Sequence, residues 1–130
     1  MADTVNMRTV GARAERLKWA RLIMRGRDLR DEVLSLNRFA DPVWDMLLEL
    51  YVAACEGRDM TVAETCRRAR VPGSNALRWV REMERLGQVT RSLDLDAASA
   101  RIRLTDDQME RLDRFFEGMS LMNDVTARSP

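Results

Sequence analysis

The chain has 130 residues, a net charge of +1, 45% hydrophobic and 33% charged residues, enough for one domain with a modest core. It has no His, its two cysteines (Cys55 and Cys66) lack metal-site spacing, and it has neither a glycine-rich phosphate loop nor a nucleophile elbow; neither an enzyme nor a metal or cofactor site is expected. No apolar run approaches the ~20 residues of a membrane span and no secretory signal is evident, so a cytoplasmic protein with reduced thiols is expected.

The near-neutral total hides a strong pattern. Residues 1–30 carry +5, residues 31–60 carry −5, residues 61–91 carry +4 and residues 92–130 carry −3. A local basic footprint matters more for nucleic acid than the total does.

In chain order, residues 1–6 read as a frayed start. From about Thr9 to Leu36 the pattern is helical and rich in Arg. Leu17, Ala20, Ile23 and Met24 form one apolar stripe, and Leu22, Leu29, Val33 and Leu36 form another. Gly26 between them is a point for a kink or break. An amphipathic helix of this kind needs a partner, either its own domain or the same helix of a second subunit. Trp19 suits an interface, so Leu17, Trp19, Ala20, Ile23 and Met24 are the dimerisation candidates. The stretch 37–40 is a link.

Asp41-Pro42 is a strong helix start, since Asp caps and Pro fits the first turn. The helix from Pro42 to about Glu56, with Trp44, Leu47, Leu48, Tyr51 and Cys55 at helical spacing, is the most apolar and the expected centre of the core. A turn at 57–59 leads to Met60-Thr61, which can make one short strand pairing. Thr61 and Glu64 form a capping box for a short helix bearing Val62, Thr65, Cys66 and Ala69 on one face. Val71-Pro72-Gly73 stops it. Ser74 starts the next helix, with Leu77, Val80 and Met83 facing inward and Gly87 after the C-cap. Residues 88–93 and 99–104 alternate as a hairpin around a loop at 94–98. Thr105 caps a last helix, with Asp106 and Asp107 at its positive end. Met109, Leu112, Phe115, Phe116 and Met119 are its buried face, and residues 123–130 read as a disordered tail.

Helix, helix, helix–turn–helix, hairpin, helix is the order of a winged helix-turn-helix, a mainly α fold with a small β-hairpin wing. The run from Ala63 through Val71-Pro72-Gly73-Ser74-Asn75-Ala76-Leu77-Arg78-Trp79 to Val89 resembles the recognition unit of MarR-type winged-helix regulators. So does the hairpin ending in Ile102-Arg103-Leu104-Thr105, followed by a helix. The resemblance covers about residues 39–120. It implies a homodimer on a two-fold related DNA site, with the terminal helices making most of the dimer interface. It also implies that a small-molecule effector sometimes binds between that interface and the DNA-binding lobe. Two departures stand out. The family's wing usually carries an Asp followed by Arg residues, whereas Asp96-Ala97-Ala98-Ser99 keeps the aspartate without the arginines. The C-terminal helix reads as single and short, which shifts dimerisation onto residues 9–36.

The expected organisation is therefore a basic helical arm at 1–36, a winged-helix domain at 37–122 and a tail at 123–130. Asn75, Arg78 and Trp79 are the base-contact candidates; Asn pairs with adenine and Arg with guanine through two hydrogen bonds each. Ser74, Arg67, Arg68, Arg81, Arg85, Arg91, Arg101 and Arg103 are the phosphate-contact candidates. The expected function is a sequence-specific double-stranded DNA-binding transcriptional regulator. The alternative is a winged-helix adaptor or antagonist of another regulator, with weak or no DNA binding.

Overall fold

The computed structural model describes residues 7–34, 41–93 and 96–128. The expected frayed start at 1–6, the link at 37–40, Leu36, and the Asp94-Leu95 part of the loop lie outside them. The order is α1 (Met7–Leu34), α2 (Pro42–Cys55), β1 (Met60–Thr61), α3 (Val62–Arg68), α4 (Gly73–Arg85), β2 (Val89–Arg91), a 3-10 turn (Ala97–Ser99), β3 (Arg101–Leu104) and α5 (Asp106–Arg128). This is the winged helix-turn-helix that the sequence pattern implies. The strands form an antiparallel sheet in the order β1-β3-β2, with Met60 opposite Ile102 and Val89 opposite Leu104.

The start and stop signals act where the local chemistry puts them. Asp41 accepts a hydrogen bond from the Trp44 amide, with Pro42 in the first turn of α2. Thr61 and Glu64 complete the capping box of α3. Thr105 accepts from the Gln108 amide at the start of α5, and its hydroxyl donates to the Gly87 carbonyl, tying that helix to the end of α4. Gly87 takes a φ of +72°, the left-handed turn that glycine adopts without a steric cost.

Three boundaries differ from the sequence reading. α1 runs through Gly26 without a break; before it Arg16 pairs with Asp113 and Glu117 of α5, and after it Arg27 pairs with Asp45 and Glu49 of α2. α4 begins at Gly73, with Pro72 as its N-cap, so Ser74 lies inside the first turn and caps nothing. α5 continues to Arg128, past the expected end near 122, so the terminal helix is long rather than short. Leu121, Met122 and Val125 extend its apolar spacing into a stretch whose polar residues suggested a tail.

α2 is the centre. Met46, Leu48 and Tyr51 are fully buried, joined by Val80 and Met83 of α4 and Phe116 of α5. Tyr51 and Phe116 pack with ring centroids 4.9 Å apart, and Trp44 meets Phe115 edge-on at 5.4 Å. Burying a side chain such as Tyr51 or Phe116 stabilises the fold by about 1.5–3 kcal/mol, whereas Phe115, expected on the buried face of α5, stays exposed. Leu17, Trp19, Ala20, Ile23 and Met24 all pack against this same core, and Ala20 is completely enclosed. Leu22, Leu29 and Val33, the second stripe of α1, are exposed. Among the described residues no helix is long and apolar enough to cross a membrane.

Candidate nucleic-acid interface

α4 is strongly two-faced. Val80 and Met83 are buried, and Ala76, Leu77 and Trp79 are partly so. The opposite face carries Ser74, Asn75, Arg78, Arg81 and Arg85, all exposed. Ser74, Arg78, Arg81 and Arg85 follow the helical repeat, which aligns them on one side. No side chain caps the N-terminus of α4, while the Asn75 amide is satisfied by the Pro72 carbonyl. The first turn thus presents amide donors together with the Ser74 hydroxyl at its positive end.

The arginines are not equivalent. The exposed Arg78 guanidinium lies 5.4 Å from the Trp79 ring centroid, a cation–π contact that narrows where it points. Arg85 is held by Glu82, with Nε 3.0 Å from Oε2. That pair lies on the surface, and the hydrogen bond from Arg85 holds the Glu82 carboxyl below its usual range. Arg91 on β2 reaches back to Glu84 at 3.0 Å. Arg101 and Arg103 on β3 both face Asp59, at 3.7 and 3.8 Å. Arg67 and Arg68 end α3 and are exposed, and Arg68 is near enough to Glu49 of α2 to act on its carboxyl. Trp79 itself is half-buried and packs against the core.

The wing is built differently from the α4 face. Asp96 accepts from the Ala98 amide at 3.0 Å and from the Ser99 hydroxyl at 3.0 Å, so the aspartate braces the turn. Ser92 closes the hairpin, its amide donating to the Arg101 carbonyl and its hydroxyl accepting from the Arg101 amide, each at 2.9 Å. Leu93, at the end of the described part of this hairpin arm, is fully exposed.

Two polar clusters escaped the sequence reading. Asp45 and Glu49, one turn apart on the apolar α2, are buried and face Arg27 of α1, at 3.2 and 3.7 Å. Burial lifts the Glu49 carboxyl above its ordinary value, with Arg27 and Arg68 pulling it back. The signal available was the i, i+4 spacing of two carboxylates on an otherwise apolar helix, which demands a cation. In the second cluster the Tyr51 hydroxyl donates to Asp113 at 2.7 Å, and Arg16 meets Asp113 at 3.0 Å and Glu117 at 3.2 Å. Burial pushes the Tyr51 hydroxyl well up, and its bond to Asp113 adds to this. Cys66 is buried and Cys55 half-buried, and burial raises both thiols.

No family model matches the sequence, and no curated protein matches it. Solved structures do. The chain is similar to the MepR–DNA complex of Staphylococcus aureus, at 18% identity and a TM-score of 0.52, covering 85% of this chain and 88% of that one. It is similar to MepR described as a transcription regulator of the multidrug efflux pump MepA, at 18% identity and 0.51, covering 99% and 86%. It is also similar to MepR bound to ethidium bromide, at 18% and 0.51, covering 84% and 79%. These likenesses show the fold alone, the winged helix-turn-helix described above.

Proposed function

We propose that this chain is a double-stranded DNA-binding transcriptional regulator that acts as a homodimer, with α4 in the major groove. The observation that carries the reading is the exposed face of α4. Ser74, Asn75, Arg78 and Arg81 project from a helix whose other side is locked into the core. In this reading Asn75 and Arg78 read base edges, Ser74 and the first-turn amides hold a phosphate, and Arg67, Arg68 and Arg81 take neighbouring phosphates. Trp79 positions Arg78 rather than touching a base. The fold shared with a DNA-bound protein supports the reading.

The dimer surface in this proposal lies one stripe further round α1 than the sequence suggests. Leu22, Leu29 and Val33 of α1, with Leu121, Met122 and Val125 of α5, are exposed apolar residues on the terminal helices. Leu17, Ala20, Ile23 and Met24 are taken up by the chain's own core. A small-molecule effector belongs to the same reading, by analogy with ethidium-bound MepR. So do a cytoplasmic location and the absence of catalysis.

The adaptor reading has one observation in its favour: the wing pairs its arginines internally and carries an exposed leucine. The test is binding of the full chain to random duplex DNA and to DNA upstream of its own coding sequence, at several salt concentrations. Tighter binding to one sequence, weakening steeply with salt, is the expected result. No binding to either duplex at low salt contradicts the DNA reading and favours the adaptor.

A further inference from the structure

The turn between α3 and α4 contains Arg70, at a φ of +60°. A left-handed backbone suits glycine, or Asn and Asp, far better than arginine. What arginine supplies there is reach. Its Nη2 lies 2.9 Å from Oδ1 of Asp28, on α1, forty-two residues earlier in the chain. Asp28 Oδ1 also lies 3.3 Å from Nε of Arg27. Arg27, whose side chain is only 10% exposed, is in turn fixed by Asp45 and Glu49 of α2, themselves 7% and 6% exposed. The ion pairs thus run from the buried α1–α2 junction outward to the turn that immediately precedes the recognition helix.

The two ends of this chain of charges differ in kind. The inner end is buried, and breaking it strands carboxylates in the core. The outer pair, Asp28 with Arg70, is half exposed and therefore weak. The buried anchor thus ends in an exposed pair at a turn that its own backbone hydrogen bonds and the buried Val71 also hold. Three residues beyond Arg70, Gly73 opens α4. The exposed stripe of α1, Leu22, Leu29 and Val33, lies on the helix that carries the anchor.

We propose that Asp28 and Arg70 form a latch that sets the entry turn of α4 according to the position of α1, so that anything displacing α1 changes the recognition helix. The proposal rests on α4 being the DNA-reading element, and it concerns how that element is regulated.

The test is a double-mutant cycle in the full-length protein with Asp28→Asn, Arg70→Asn and the double variant. Asn tolerates the left-handed backbone, so the turn itself is not rebuilt. Amide hydrogen exchange across residues 71–77 is read first, without DNA, and duplex affinity second. Each single variant is expected to speed exchange there about twofold to fivefold, the worth of one exposed ion pair. The double variant is expected to fall short of the product of the two single ones, because they share the Asp28–Arg70 contact. Thermal midpoints and exchange in α5 are expected to stay at wild-type values.

Unchanged exchange at 71–77 in Asp28→Asn overturns the latch, as do effects that multiply in the double variant. Faster exchange throughout the chain with a lower midpoint also overturns it, as general loosening. If the exchange result holds but the wild type binds no duplex, the latch stands and the DNA reading falls. If the wild type binds DNA and neither readout moves in the variants, the reading stands and the latch falls.

Discussion

The α4 face and the wing are built from the same residue type but pair it differently. Arg78 and Arg81 on α4 stand in solvent, the first steered by an aromatic ring. Arg91, Arg101 and Arg103 around the wing each face a carboxylate of this chain, Glu84 or Asp59. A basic stretch is a nucleic-acid footprint only where its charges are not already answered internally. Arginine count along residues 61–103 suggests a continuous surface, whereas the pairing separates Arg78 and Arg81, which face solvent, from the wing arginines, which face Glu84 or share Asp59.

Removing an open arginine breaks this contrast most severely. Arg78→Ala is expected to weaken binding to the preferred duplex by about 1–3 kcal/mol, about fivefold to 150-fold, and to relax preference at one base position. Competition binding against single-base variants of the site checks both parts; an unchanged preference counts against Arg78 as a reader. Asp59→Asn erodes the contrast by removing the one carboxylate that both β3 arginines face. It should tighten binding to random duplex at low salt and steepen the log–log salt slope by up to about 0.9 for each arginine that then finds a phosphate.

Asp96→Ala removes two hydrogen bonds that brace the wing. A loss of about 0.5–2 kcal/mol is expected if the cap behaves as helix caps do, seen as faster proteolysis between residues 92 and 100. Binding to the preferred duplex should barely change. The smallest effect belongs to Arg103→Ala, which loses only an exposed, long ion pair. Both stability and duplex affinity should stay within about 0.5 kcal/mol of wild type. A tenfold loss of affinity there would return the wing to the interface.

Much of the fold is legible because its signals are local. Asp41-Pro42, the Thr61–Glu64 box, Gly87 and Thr105 each act through groups a few residues away, and each stands where the sequence puts it. The inward stripes of α2 and α4 are equally readable, since helical spacing alone selects Leu48, Tyr51, Val80 and Met83. What escaped depends on distant partners. Asp59 meets Arg103 only once β3 pairs with β1. Arg27 meets Asp45 and Glu49 only after α1 lies across α2. Which of the two α1 stripes faces inward is likewise decided by the shape of α2 and α5, because both stripes satisfy the same periodicity. The left-handed Arg70 carries no local signal, as the residues after it already announce a turn.

The claim that the α4 face, and not the wing, meets the phosphates is tested most directly by salt titration of duplex binding for the wild type, Arg81→Ala and Arg103→Ala. The account predicts a log–log slope flattened by about 0.9 in Arg81→Ala and unchanged in Arg103→Ala. A slope flattened in Arg103→Ala and unchanged in Arg81→Ala would contradict it.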